Sequence, residues 1–251
     1  MQSATTDTIW DESRLAAPHA QPDKSRRVQA MFNAIAPTYE LVNRVLSAGR
    51  DAHWRRQAVK LAKVAPTDRV LDLACGTGDF AREFQRASPA LVVGSDFASG
   101  MLALAAARDN GRIPFCQGDA HHLPFRNGSF NIVSCAFGVR NFQELAVGLG
   151  EIYRVLQTGG RAVILEFTMP RSKLIGGAYR FYFRRILPRV ARIISRDRSG
   201  AYDYLPNSVA SFIDDKGMIA ALRNAGFHSI VHRAFTVGIV TVYVATKQWD
   251  D

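Results

Sequence analysis

From Arg27 to about Val64 the apolar residues fall at helical spacing: Met31, Ile35 and Tyr39, then Leu41, Val45 and Leu46, then Trp54, Ala58 and Leu61. Pro37 and Gly49 divide this stretch into two or three helices. Ahead of it, residues 1–26 are polar and include Pro18 and Pro22, the pattern of a flexible tail.

The period then changes. Short β-rich runs at Arg69–Ala74, Leu91–Ser95, Ile113–Gln117, Phe130–Ala136 and Arg161–Glu166 alternate with helical stretches, one of them through Glu144–Leu156. Strands alternating with helices at this spacing predict an α/β fold with a parallel, doubly wound sheet and helices on both faces. A helix near Ile213–Ala225 stops at Gly226. Two further β-rich runs follow closely, around Phe227–Arg233 and Ile239–Thr246, and predict an antiparallel hairpin at one sheet edge. That makes seven strands in one domain over residues 27–251, with a basic, aromatic helical insert at 169–199.

Composition adds function classes to this frame. The 251 residues carry 32 Lys and Arg against 22 Asp and Glu, a net charge of +10, which favours anionic partners such as nucleic acid or a membrane surface. Cys75, Cys116 and Cys135 stand alone without zinc-type spacing, so no metal is expected and the chain reads as reduced and intracellular. No apolar run approaches the ~20 residues of a membrane-spanning helix, and the N-terminus lacks the apolar region of a signal peptide. Cytoplasmic residence is the expectation.

Directly after the first strand, Asp72–Ala81 reads DLACGTGDFA, and Gly76, Gly78 and Ala81 fit G-x-G-x-x-G/A. Such glycines let backbone approach a ligand, and the helix that follows offers unpaired N–H groups. Asp96, 20 residues after Gly76, ends the second strand where a carboxylate accepts from ribose hydroxyls. These features fit NAD(P) as well as S-adenosylmethionine, and a tight turn beside a surface aspartate is the plainer reading. Asp72 inside the first strand tilts the choice towards the methyl donor, as does Gly118-Asp119-Ala120 after the third. There the Asp119 carboxylate suits an adenine amine and the Ala120 amide a ring nitrogen. Thr77 and Phe97 complete the candidate cofactor set.

The order D-x-A-C-G-T-G, G-S-D, G-D-A resembles Rossmann-like class I methyltransferases from end to end of the sheet. Residues 27–55, Phe137–Phe142 (FGVRNF) and Tyr202–Phe212 (YDYLPNSVASF) further resemble the ubiquinone/menaquinone biosynthesis C-methyltransferase family. With the cofactor motifs the likeness covers nearly all of residues 27–246. It implies methyl transfer to a ring carbon of a polyprenylated quinol, with demethylmenaquinol favoured and a methoxy-benzoquinol as the alternative. One departure stands out: Ala136 lies where many family members carry Ser.

A quinol carbon becomes nucleophilic when its hydroxyl loses a proton, so a proton acceptor and an oxyanion stabiliser are needed. Arg140 and Asn141 follow the fourth strand, on the edge where open α/β sheets place their ligands. Arg140 is expected to steady the phenolate or polarise a water, Asn141 to orient a ring oxygen, and Tyr39 to close over the ring. A surface charge is the competing reading of Arg140. Glu166 ends the fifth strand as a further base candidate, or else bonds a backbone amide. His121 and His122 read as loop residues, at least one of them solvated. Tyr202, Tyr204 and Asn207 line a pocket or, given Pro206, form a structural turn.

Residues 171–198 hold nine Lys or Arg and one acid, most of the chain's charge excess, and among them lie Tyr179, Phe181, Tyr182, Phe183, Ile186, Leu187, Ile193 and Ile194. That mixture suits an interfacial helix on anionic lipid, and a polyprenyl quinol lives in the bilayer. The expected location is therefore peripheral, on the inner face of the cell membrane, with oligomerisation left open. The competing reading is a solvated helix that packs its aromatics inward. An RNA methyltransferase would also explain the charge, but the chain shows no appended RNA-binding module, no N-P-P-Y and no Pro-Cys nucleophile, so no nucleic-acid partner is expected. A non-enzymatic cofactor-binding or scaffold protein would need a broken site, whereas the loop, Asp96 and Asp119 are intact.

Overall fold

A computed structural model describes residues 9–170, 172–195 and 199–248, with Lys173 as backbone only. Seven strands form one sheet in the order β3-β2-β1-β4-β5-β7-β6. They are β1 (Arg69–Leu73), β2 (Leu91–Asp96), β3 (Phe115–Gln117), β4 (Phe130–Ala136), β5 (Leu156–Phe167), β6 (Phe227–Phe235) and β7 (Val240–Lys247). The first five run parallel, and β7 is antiparallel to both β5 and β6. The C-terminal hairpin expected from the sequence is therefore present, with its second strand inserted next to β5. The third and fifth strands depart furthest from the sequence reading. The third starts at Phe115, after Pro114, and the fifth reaches back through Gly159 and Gly160, where its register with β4 shifts.

Chain direction across the sheet reverses between β1 and β4, because β2 and β3 lie on one side of β1 and β4 and β5 on the other. The connections leave in opposite directions there and open a crevice at the carboxyl ends of the strands. The strands that flank this crevice are buried on both faces, as a parallel sheet requires. Alternate residues serve different cores. Leu71, Leu73, Val133 and Ile164 pack with α7 (Leu145–Val155) and α11 (Asp215–Asn224). Val70, Val92, Ile132 and Val163 pack with α4 (Arg50–Ala62) and α5 (Asp79–Gln85).

A third core lies beyond the strand ends and roofs the crevice. It joins α2 (Lys24–Ile35), α3 (Tyr39–Leu46), α6 (Ser99–Asp109), α8 (Lys173–Phe181), α9 (Leu187–Ser195) and α10 (Ala201–Ala210). A π-helical turn, Tyr182–Ile186, links α8 to α9 just before Pro188, which has no amide to continue the ladder. α3 is tethered over the cofactor loop by Glu40, which pairs with Arg82 at 3.8 Å and with Arg108.

The flexible tail needs correcting. Residues 1–8 lie outside the described residues, but from residue 9 the segment is packed. Trp10 is 1% exposed against the ring of Tyr204 at 4.3 Å, α1 (Glu12–Leu15) is capped by Asp11, and a 3-10 turn spans Pro18–Ala20. A lone tryptophan among polar residues carries no period, so its partner 194 positions away is invisible in the pattern. The insert packs part of its aromatic set inward and leaves part exposed. Tyr179 and Phe183 turn inward, whereas Leu174 (84% exposed), Phe181 (62%), Ile186 and Ile193 face outward beside Arg180, Arg184, Arg185 and Arg189. The expected charges at Arg171, Arg196, Asp197 and Arg198 lie outside the described residues.

Candidate functional site

The turn after β1 puts Ala74, Gly76 and Gly78 at positive φ, and Gly78 caps α5 in the left-handed region. A Cβ on Gly78 would sit 3.0 Å from both Phe115 and Arg82, so this glycine serves turn and packing and lines none of the cavities described below. Asp96 fixes the loop from the side. Its carboxylate accepts from the Gly76 amide and from the Ala98 amide, each at 2.8 Å. Burial raises its pKa against the pull of those amides. A carboxylate has about four acceptor sites, so two remain for a ligand's hydroxyls.

Asp72 is wholly buried beneath the loop, and β1–β4 pairing sets it opposite Ser134. The Ser134 hydroxyl donates to one oxygen at 2.8 Å, and the other oxygen has no partner. Burial pushes its pKa up to about 7 against the opposing pull of Ser134. A buried acid with one unsatisfied oxygen suits a cationic group placed against the loop.

Asp119 receives the His121 amide at 2.9 Å and faces the His121 ring at 2.8 Å. The far ring nitrogen of His121 accepts from the Glu144 amide at 3.0 Å, so the proton sits on Nδ1 and points at Asp119. Burial would raise the Asp119 pKa, but these bonds outweigh it and hold the group below the usual range. His121 thus orients Asp119, and the exposed His122 is the solvated member of the pair.

Three cavities meet at the crevice. One is lined by Gly76, Asp96, Phe97, Asp119, Ala120 and Asn141, under a roof of Ser25 and Phe32 from α2. A small one lies over Asp72, Cys75, Gly76 and Thr77. The largest of these three, about 350 Å³, is walled by apolar side chains including Met31, Ile35, Trp54, Phe167, Phe183 and Leu187. Tyr39 and Phe137 border all three, so Tyr39 meets the expected cofactor residues other than Gly78 there. Tyr202 and Tyr204 also line the largest cavity from within α10, which continues as helix through Pro206. Asn207 bonds the Asp203 carbonyl of its own helix.

Arg140 lines the largest cavity and is buried there, not a surface charge. It sits in a 3-10 turn, Val139–Asn141, and meets Glu166 at 2.8 Å. Glu166 is therefore the partner of Arg140 and not a free base. The same guanidinium donates to the Phe137 carbonyl at 2.6 Å and lies over the Phe167 ring, while its Nε has no partner. Asn141 donates to that carbonyl at 3.3 Å and accepts from the Tyr204 hydroxyl at 3.0 Å.

Sequence reasoning missed the roof. Lys24, inside the expected tail, is buried and donates to the Phe142 carbonyl at 2.5 Å. Burial, then the charge of Arg140, lowers its pKa to about 8. Gln29 and Asn33 reach across to the Phe97 carbonyl and Gly100 amide, so α2 is bonded over the glycine-loop cavity at both ends. No local signal marks these residues, because every partner is remote in sequence.

A sheet of this order, with a glycine turn after β1 and acids closing β2 and following β3, has the class I S-adenosylmethionine-dependent methyltransferase fold. A solved methyltransferase of Thermotoga maritima shares it at TM-score 0.63 and 18% identity, over 87% of this chain and 99% of that one. The chain belongs to the ubiE/COQ5 methyltransferase family, whose model matches residues 20–247. It is 46% identical to the demethylmenaquinone methyltransferase of Deinococcus radiodurans, over 90% of this chain and 95% of that protein. It is 44% identical to the ubiquinone/menaquinone biosynthesis C-methyltransferase UbiE of Geobacter sulfurreducens, over 90% of each.

Proposed function

We propose that the protein methylates a ring carbon of a polyprenylated quinol, demethylmenaquinol first, with S-adenosylmethionine as donor. The observation that carries this is the adjoining of an apolar cavity of about 350 Å³ to the glycine-loop cavity through the shared walls Phe32, Tyr39 and Phe137. When bound, the donor supplies an electrophilic methyl group. Asp96 would hold its ribose, Asp119 and Ala120 its adenine, and the unsatisfied oxygen of Asp72 its cationic end; Gly76, Thr77 and Phe97 would line its bed.

The remaining work is alignment and charge. The apolar walls exclude water, which strengthens each polar contact inside. Glu166 neutralises the guanidinium of Arg140, so Arg140 meets a developing phenolate as an N–H donor and local dipole, through its unpartnered Nε. Asn141, locked by Tyr204 and the Phe137 carbonyl, orients a ring oxygen from the cofactor side, and Tyr39 closes the junction between the cavities.

Among the described residues no helix is long and apolar enough to cross a membrane. We infer peripheral contact with an anionic cytoplasmic leaflet through Leu174, Phe181, Ile186 and the arginines between them, which would bring the substrate to the cavity.

The test is incubation of the purified protein with methyl-labelled S-adenosylmethionine and short-tailed demethylmenaquinol under reducing conditions. Label in the extracted quinone supports the proposal, and unlabelled quinol sinks it. The Geobacter relative's name covers both pathways, so a methoxy-benzoquinol is the second substrate to assay.

A further inference from the structure

In the apolar cavity beside the glycine loop, the Tyr179 hydroxyl and Arg140 Nε have no hydrogen-bond partner among the described residues. Tyr179 is only 6% exposed and Arg140 5%. A polar group buried without a partner is destabilising, and native proteins keep few of them. Two of the neighbouring tyrosines differ. Tyr182 donates to the Leu46 carbonyl at 2.9 Å, and Tyr204 to Asn141 at 3.0 Å.

The Tyr179 ring is fixed in place. It packs on Phe183 with centroids 4.3 Å apart, Phe183 meets Phe167 at 6.0 Å, and Phe167 underlies the Arg140 guanidinium at 5.6 Å. One aromatic ladder thus presents a hydroxyl at one end and a guanidinium at the other to a single apolar cavity. A flat apolar ring with oxygens on opposite edges is the ligand that completes both.

We infer that Tyr179 binds the quinol oxygen that Arg140 does not, so the basic insert supplies a substrate-recognition residue as well as an outer surface. This rests on the quinol reading above. The buried hydroxyl stays protonated, since burial drives its pKa far upward, and so it donates to a ring oxygen or accepts from a ring hydroxyl.

Tyr179→Phe keeps the ring stack and removes one oxygen. The expected result is a kcat/KM on short-tailed demethylmenaquinol lower by roughly 10- to 100-fold. S-adenosylmethionine affinity stays unchanged, and the melting temperature of the unliganded protein is equal or higher. A prenylated naphthol that keeps only the hydroxyl beside the methyl-accepting carbon provides the second arm. Wild type drops to the variant's level on it, and the variant loses nothing further. An unchanged kcat/KM in Tyr179→Phe overturns the inference, as does an equal penalty for the missing oxygen in both proteins. A wild type that leaves the quinol unmethylated overturns the functional reading itself, and this inference with it.

Discussion

Arg140 Nη1 lies 2.8 Å from Glu166 Oε1, and both side chains are enclosed, so the ends of β4 and β5 share a buried, neutral ion pair under the apolar cavity. Taking away one member strands the other as an uncompensated buried charge, at about 3–5 kcal/mol. Glu166→Ala is therefore expected to lose that much stability in chemical denaturation while kcat falls at least about 100-fold. The double change Arg140→Met, Glu166→Leu should recover most of the stability and none of the activity, because an apolar pair of similar volume fills the space. Recovery of turnover in the double variant would remove Arg140 from the chemistry.

Asp72 makes the opposite pH prediction from an ordinary paired aspartate. Its folded pKa of about 7 lies above the unfolded 3.8, so between these values the folded protein binds a proton that the unfolded chain has released. The stability it contributes is complete below pH about 4 and is lost as pH rises towards 7. Subtracting the melting curve of Asp72→Asn from that of wild type between pH 5 and 8 should show this fall. A cationic cofactor prefers the ionised acid, so S-adenosylmethionine affinity should rise over the same range with proton release, read by calorimetry in two buffers. Ser134→Ala removes the bond that holds the pKa down and should move that rise to higher pH.

The sheet and the cofactor loop were legible because their signals are local. Strand and helix periods alternate within short windows, Gly76, Gly78 and Asp119 each follow a strand, and Asp96 closes one. Arg140 was legible by position alone; its partner was not, since nothing in the order of residues says that Glu166 faces it 26 positions later. The roof was illegible for the same reason. Lys24, Gln29 and Asn33 sit on a helix whose apolar stripe is plain, yet their partners lie 67 to 118 residues away. The insert read as either lipid-facing or core-facing, and helical spacing alone could not say that Tyr179 and Phe181 would diverge.

The outward residues of that insert give a membrane test. Leu174→Ser with Phe181→Ser removes two exposed apolar side chains, and Arg184→Glu with Arg185→Glu reverses two exposed charges. Each pair should weaken sedimentation with anionic vesicles by about 10-fold or more, given roughly 1 kcal/mol per basic residue near such a surface. Wild-type binding to neutral vesicles should be weak, and salt should release the protein from anionic ones. Equal sedimentation of wild type and both variants would leave the inward-packed helix as the whole account of the insert.

Trp10 should matter more than its place near the N-terminus suggests. It stacks on Tyr204, its backbone amide donates to the Ser199 carbonyl at 3.2 Å, and Tyr204 in turn holds Asn141 at 3.0 Å beside the cofactor cavity. Trp10→Ala opens a void in the roof core and should cost about 3–5 kcal/mol in denaturant unfolding. The chain Trp10–Tyr204–Asn141 also carries the change inward, so kcat should fall several-fold at temperatures well below the melting midpoint, where circular dichroism still reports a folded protein. Trp10→Phe keeps most of the apolar contact and should restore most of both. A variant lacking residues 1–26 that matched wild type in stability and turnover would show that the segment is the flexible tail its composition resembles.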